Sequence, residues 1–460
     1  MFNDKFWNTT TNFIYTACLL VVALGTIVVS FPDGAAAIVI VLLLSGLFIV
    51  IFRNYTDEKE FITNLFLGAL ALRLGFGIFV HLLDLRDFFG GDALTYDYRG
   101  QVILDYWRGV QVPSWELTLA SSSTSGWGMN YIVAAIYALV GRNIFAAQSF
   151  CGVIGAATAP MVYFLTKRIF DHVKTAKLAA VFVAVFPAFV IWSSQLLKDG
   201  IIVFLLVLIM TLVMELQIRI KVPTLVLLGA AIFGILSLRF YIFYMVAFAV
   251  VGSFVIGVSK SNKSIITRVA VLIVLGLAMT YIGVINIATG DFDRYANLER
   301  LQITRTDQAR ADSGYGSEAD VSTSDGAISV IPLGFAYLMF APFPWQMGSF
   351  RQSITIPETV TWWALMPLLI SGLAYSIRHK LRNALPVILF AVMVTFAYSV
   401  FQTNVGTAYR QRTQIQAFLF MFIAAGWTVR KERRIDAKAK KAHDRAMVEA
   451  SIRGARGTAA

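Results

Sequence analysis

Two carboxylates and a few cations stand at the ends of long apolar runs, where charge is costly unless it is paired or used. Asp92 follows a Gly-Gly pair in residues 88–100 (FFGGDALTYDYRG). It opens a stretch of helical spacing, so it reads either as a helix cap or as a carboxylate placed to act as general base. Lys198 and Asp199 sit together in residues 195–200 (QLLKDG), a very short link between two apolar runs. They read as a turn with a local ion pair, worth little at a surface, or as a second acid and a cation facing the same cavity. Arg239 separates two runs in LSLRFYIFY, and Arg410 and Arg412 precede the last run in residues 402–412 (QTNVGTAYRQR). Arginines at span ends can simply snorkel to head groups. Taken together, Lys198, Arg239, Arg410 and Arg412 suit an anion, and a phosphate or pyrophosphate fits. Arg73, in ALRLGFG, lies near the middle of a run. It reads as reaching a lipid phosphate, or as paired with an acid on a neighbouring span.

The elements that must position these groups follow from composition. Of 460 residues, 58% are hydrophobic and 14% charged. A soluble globule carries about a quarter charged residues, so this chain has too little polar surface to cover itself. Disorder, collagen, coiled coil and a disulfide scaffold are excluded by the same figures. The apolar residues fall in runs of membrane-spanning length at 11–31, 35–52, 61–82, 145–166, 175–193, 200–217, 222–238, 240–258, 267–288, 357–376, 384–401 and 413–428. Lipid cannot satisfy open backbone groups, so these are helices. The expected fold is an all-α polytopic membrane protein of about twelve transmembrane helices. Two apolar stretches, 129–141 and 331–345, are expected to lie in the outer interface as juxtamembrane helices. The first is too short to cross, and Pro342 and Pro344 break the second. The N-terminus lacks a basic segment and a small-residue cleavage site, so the first run is expected to be retained.

The two cysteines, Cys18 and Cys151, lie in apolar runs, and the four histidines are scattered. There is no HExxH, Walker A loop or GxGxxG, so metalloprotease, ATPase and dinucleotide chemistry are unsupported. No metal-binding motif is present, and a divalent-cation requirement is left open.

Loop charge orients the helices. One set of turns is basic, with Arg53 and Lys59, Lys167 to Lys177, Arg219 and Lys221, Lys260 to Arg268, and Arg378 to Arg382. The other set is acidic, with residues 84–128 at net −3 and 289–330 at net −4. The basic turns and both termini are therefore expected in the cytoplasm, with the acidic loops facing outward. Lys198, Arg239, Arg410 and Arg412 then lie outside against the usual bias, which strengthens the anion reading. The chain divides into a transmembrane domain, 1–428, and a basic cytoplasmic tail, 429–460. Residues 84–128 form the first outer loop, and 289–356 a later one with the interfacial helix. Residues 289–330 read as a mobile lid or a plain linker. Half of the net charge of +12 sits in residues 430–460, which contain no aromatic residue. Nucleic-acid binding is not expected; anionic membrane lipids are the natural partner of such a tail, if it serves as more than an orientation signal.

The order of these features resembles the GT-C superfamily of membrane glycosyltransferases, especially the bacterial relatives of protein O-mannosyltransferases and the lipid A aminoarabinose transferase. GGDALTYDYRG followed by DYWRG is similar to the family's first outer loop. Residues 142–194, through TKRIFDHVKTAKLAAVFVAVFPAFVIWSS, are similar to its small-residue span, basic corner and following Ala-rich span. LLKDGIIVFLLVLIM is similar to the segment where an Asp opens the next span. The likeness covers about residues 60–260. It departs from the family in having three spans before the first outer loop, and in reading SSSTSGWGMNY where a His-Pro-Pro-type segment is usual.

The resemblance implies a catalytic Asp at Asp92, a second outward acid at Asp199 and a cation at Arg239. Tyr96 and Arg73 are added as candidate substrate contacts, and Lys198, Arg410 and Arg412 join Arg239 as donor-phosphate ligands. The implied function is transfer of a sugar from a polyprenyl-phosphate-linked donor to a glycan, lipid or protein acceptor on the outer face, with inversion. An O-antigen-type polymerase or ligase of related fold is the nearest alternative. A lipid or polysaccharide flippase is the alternative of another class, and it would call for an inverted repeat and helices broken at the midplane.

Overall fold

The computed structural model describes residues 33–457 except 90, 122–125, 257–261, 282, 296–297, 312 and 349, together with a few residues before Asp33. The span expected at 11–31 lies almost wholly outside the described residues. Among the described residues every element is helical, with one isolated bridge between Gly314 and Asn404.

The first half contains α1 (Asp33–Asn54), α2 (Lys59–Leu82), α3 (Arg86–Phe89), α4 (Asp92–Trp107), α5 (Ser114–Ser121), α6 (Trp127–Val140), α7 (Ile144–Phe170), α8 (Val173–Val185), α9 (Pro187–Ser193) and α10 (Asp199–Leu216). The second contains α11 (Val222–Leu238), α12 (Phe240–Ile256), α13 (Asn262–Tyr281), α14 (Val284–Tyr295), α15 (Leu298–Ala309), α16 (Ser324–Ser329), α17 (Ile331–Phe340), α18 (Phe350–Ile354), α19 (Ile356–His379), α20 (Leu381–Phe401) and α21 (Val405–Gly457).

Six described helices are long and apolar enough to span a membrane (α1, α2, α7, α10, α19 and α20), or eight if two bent pairs each count as one span. Of the other six expected runs, the first lies almost wholly outside the described residues and five are helical but short, bent or part of a longer helix. The run at 175–193 is bent by 54° at Pro187, and the run at 267–288 is bent at Gly283. Arg239 interrupts the chain between α11 and α12, each 17 residues long. The last expected span, 413–428, is the inner part of the 53-residue α21. The helix α6 is 14 residues long and packs on α4, α7 and α11. The interfacial helix expected at 331–345 ends at Phe340, before a cis Ala341–Pro342 bond.

The helix α7 is the hub, packed by α1, α2, α8 and α10. Its Gly152, Gly155, Ala156, Ala157 and Ala159 are buried, and such small residues let neighbouring backbones come close. Its start is fixed by Asn143, whose side chain accepts from Ala146 N at 2.9 Å and donates to Asp33 O at 2.9 Å. A second seam joins α19 to α21, where Gly372 faces the Phe422 carbonyl and Gly426 faces that of Leu368. A β-carbon at Gly372 would lie 1.8 Å from Phe422 O, so nothing larger fits.

Long-range contacts sort the turns into two ends. Lys177 pairs with Glu58 at 2.6 Å, His172 lies 3.8 Å from Glu432, and Asn383 donates to Ile169 O at 3.5 Å. The basic turns at 53–59, 167–177 and 378–383 and the tail thus meet at one end of the bundle. The helices α3 to α6, the link 194–198, Arg239 and the start of α21 gather at the other.

Candidate active site

The chain leaves α9 at Ser193 and turns sharply, with Leu197 N donating to Gln195 O at 2.7 Å, before α10 starts at Asp199. A carboxylate in the first turn of a helix suits the helix dipole. Asp199 is only 1% exposed, and a carboxylate so buried needs cationic partners. It has two. Arg239 Nη2 donates to Asp199 Oδ1 at 3.2 Å, and Arg410 Nε donates to Oδ2 at 2.6 Å, with Arg410 Nη2 2.5 Å away.

Arg410 lies near the start of α21, 211 residues from Asp199 in sequence. Its Nη1 donates to Asp92 Oδ2 at 2.8 Å. Asp92 opens α4, and its side chain is 53% exposed. One guanidinium therefore joins a buried acid to an open one. The Arg410 guanidinium also lies 5.6 Å from the centre of the Trp192 ring, and that of Arg239 5.8 Å from Tyr241. Arg239 is buried, yet its Nη1 makes no hydrogen bond among the described residues.

Lys198 is buried beside this group. A β-carbon at Gly126 would lie 2.4 Å from Lys198 Nζ, and Gly126 has φ +97°, so glycine is required there on two counts. Burial, with the charge of Arg239 close by, pushes the Lys198 ammonium down to about 7. Tyr96 lies one turn along α4 from Asp92. Burial, and then the Asp92 charge, raises its hydroxyl above the ordinary tyrosine value. The cluster holds two acids and three cations, so a singly charged anion would balance it when Lys198 is protonated.

Arg410 and Trp192 also line a cavity of about 720 Å³. Phe88, Phe89, Pro342 and Phe350 supply apolar wall, and Arg351 a second cation. The size suits a ligand well above a monosaccharide, and the mixed lining suits an amphiphilic one.

Two of the expected residues lie elsewhere. Arg412 is two residues from Arg410, which turns it to another face of α21. It is fully buried and its Nη1 donates to Met339 O at 3.1 Å and Ala341 O at 2.8 Å, capping the end of α17. Trp362 and Trp363 donate to the neighbouring carbonyls of Met339 and Phe340. Arg73 is fully buried as well, with its guanidinium on Ser193 and on the carbonyls of Ala69, Val183 and Ala184 rather than on an acid.

Other groups at this end carry little signal in the sequence. Glu358, buried in α19, accepts from the Tyr409 hydroxyl at 2.6 Å, and Tyr409 lines the large cavity. An acid just inside an apolar run was the available clue. Trp192 and Tyr241 look like ordinary membrane aromatics until the fold sets them against guanidinium groups. Among the described residues no three His, Cys, Asp or Glu side chains gather to hold a metal ion.

Residues 126–283 match the dolichyl-phosphate-mannose-protein mannosyltransferase family, a family of GT-C-type membrane glycosyltransferases. The match supports a membrane glycosyltransferase of GT-C type, the class the sequence resembles. It starts at Gly126 and takes in Lys198, Asp199 and Arg239. No curated protein matches the chain at a significant level.

Proposed function

We propose that the protein transfers a sugar from a polyprenyl-phosphate-linked donor to an acceptor hydroxyl on a glycan, lipid or protein. The reaction takes place at the end of the bundle opposite the basic turns. The observation that carries this reading is the charge chain Asp92–Arg410–Asp199–Arg239, with Lys198 beside it and an unpartnered guanidinium nitrogen on Arg239. An excess of one positive charge, partly desolvated, is a site for one phosphodiester.

The acceptor oxygen attacks the anomeric carbon, and the bond from that carbon to the phosphate oxygen breaks. The phosphate leaves with the electron pair, and Arg239, Lys198 and Arg410 stabilise its new charge. The hydroxyl proton passes to Asp92, the exposed carboxylate of the pair. Asp199 is enclosed and doubly paired, so it orients the two guanidiniums and is not a nucleophile. With one carboxylate acting as base and none as nucleophile, a single displacement inverts the anomeric centre. The apolar part of the 720 Å³ cavity suits the lipid chain next to the head group.

The basic turns share one end, which by loop charge is cytoplasmic. In that reading both termini face the cytoplasm of a bacterial inner membrane and the site faces outward. The test is release of free polyprenyl phosphate by purified protein in nanodiscs supplied with a lipid-linked sugar and an acceptor. Asp92→Asn should lower transfer by about 10²–10⁴-fold while the protein stays folded. A folded Asp92→Asn protein that transfers sugar at the normal rate refutes the assignment.

A further inference from the structure

We infer that Arg73 is a positioning residue, which holds Lys198 and Asp199 in place by bracing the break between α8 and α9. The inference rests on the reading of Lys198 and Asp199 as the phosphate-facing end of the site. An arginine in the middle of a transmembrane helix needs a strong reason to be there. Among the described residues no carboxylate lies on Arg73; its partners are three carbonyls and a hydroxyl.

Two of those carbonyls, of Val183 and Ala184, lie at the helix end that Pro187 breaks; the third, Ala69 O, is one turn back on the helix of Arg73 itself. In an unbroken helix Val183 O would accept from the N–H of residue 187, and proline has none. Phe186 turns out of the helix at ψ 128°, and Phe189 N donates back to Phe186 O, so the helix restarts at an angle of 54°. Arg73 Nη2 donates to Val183 O at 3.3 Å and Nη1 to Ala184 O at 3.1 Å. Orphaned carbonyls at a helix C-terminus carry the negative end of its dipole, which a cation offsets. The remaining edge reaches across the joint: Nε donates to Ser193 Oγ at 2.8 Å, and Ser193 Oγ donates to Phe189 O at 2.5 Å. One guanidinium thus clasps the last turn of α8 and the last turn of α9.

Ser193 passes the restraint on. It is wedged between α7 and α10: a β-carbon at Gly155 would lie 2.3 Å from its Cβ, and one at Gly200 2.6 Å. Gly200 is the neighbour of Asp199. A gap of about 10 Å³ between Arg73, Ser193 and Asp199 leaves room for one water at most. With the joint braced, Lys198 and Asp199 are held from both sides; without the brace, its flexing is delivered to them through residues 194–197.

Arg73→Gln, Arg73→Lys and Ser193→Ala in nanodiscs test this with two readouts: amide hydrogen exchange, and binding of undecaprenyl phosphate. Arg73→Gln should speed exchange in residues 194–200 while α19 and α20 keep their protection, and should weaken binding about ten-fold, a common cost of losing a partner that orients a charged ligand-binding group. Ser193→Ala should shift both in the same direction by less. Arg73→Lys should recover part of the affinity, since an ammonium reaches the carbonyls but cannot also span to Ser193. Unchanged exchange at 194–200 overturns the inference. So does faster exchange with unchanged affinity when Arg239→Ala weakens binding. If Arg239→Ala binds as the parent does, the phosphate reading fails instead, and exchange at 194–200 alone decides for or against the brace. Should Arg73→Gln not fold, Ser193→Ala carries the test on the same criteria.

Discussion

Arg410 holds two carboxylates in different surroundings, and that difference can be measured. Its contacts to Asp199 are buried, at 2.5–2.6 Å from an acid whose side chain is 1% exposed. Its contact to Asp92 is 2.8 Å to a side chain that is 53% exposed. Removing one partner of a buried pair leaves an uncompensated charge and costs about 3–5 kcal/mol. A solvent-screened pair is worth about 0–1 kcal/mol. Two double-mutant cycles for stability follow, Arg410→Ala with Asp199→Asn and Arg410→Ala with Asp92→Asn. The first should show a coupling of about 2 kcal/mol or more, somewhat reduced because Arg239 still serves Asp199. The second should stay below about 1 kcal/mol. Reversible denaturation in a fixed detergent supplies all the values. Activity and stability should separate at one site only: Asp92→Asn lowers transfer by about 10²–10⁴-fold at little cost in stability, whereas Asp199→Asn loses both. Equal coupling in the two cycles, or none in the first, would refute the charge-chain geometry.

Three other outcomes can be checked directly. Burial pushes the Lys198 ammonium down to about 7, so its charge should be present below that pH and lost as pH rises through it; KM for a lipid-linked phosphodiester, whose own charge is constant in this range, should rise between pH 6 and 8 in the parent and stay flat in Lys198→Arg. The stability sign is the reverse: the unfolded lysine binds the extra proton above pH 7, so this residue's contribution improves as pH rises from about 7 towards its unfolded value. Gly126→Ala places a β-carbon on Lys198 Nζ at a positive φ and should raise the same KM while costing about 1–3 kcal/mol of stability, and an unchanged KM would sever Lys198 from the donor. Tyr409→Phe removes the hydroxyl from buried Glu358 and should lower stability by about 1–3 kcal/mol in a denaturation curve, with an intact melting profile counting against the pair.

The charged members of the site were visible in the sequence for a physical reason. In a chain this apolar, a carboxylate or guanidinium at a span end is rare and expensive, so Asp92, Lys198, Asp199, Arg239 and Arg410 stand out individually. What spacing could not supply is direction. Arg410 and Arg412 look equivalent in YRQR, yet a helical step of two residues sends one to the acids and the other to the end of α17. The partner of Arg73 was equally hidden, because it is a set of carbonyls exposed by a proline more than a hundred residues later. Bends were hidden in a similar way: hydropathy sees the length of a run, and Pro187 and Gly283 bend runs without making them less apolar. The GT-C resemblance rested on features between residues 60 and 260, and the family match lies within or just beyond that stretch. Arg410, from a distant part of the chain, had to be joined to it by the fold.

The helix that carries Arg410 continues without interruption for 53 residues, about 80 Å, to the basic tail. It acts as an axle through the bundle. A guanidinium about 6 Å off its axis would swing about 2 Å for a roll of 20°, enough to part it from either acid. The Gly372–Gly426 seam and the bond from Arg430 to Pro367 O act as bearings against that rotation. Torque applied at the tail is therefore resisted well before it reaches Asp92 and Asp199. Alignment of Arg410 with Asp92 and Asp199 is consequently set at both ends of the bundle at once.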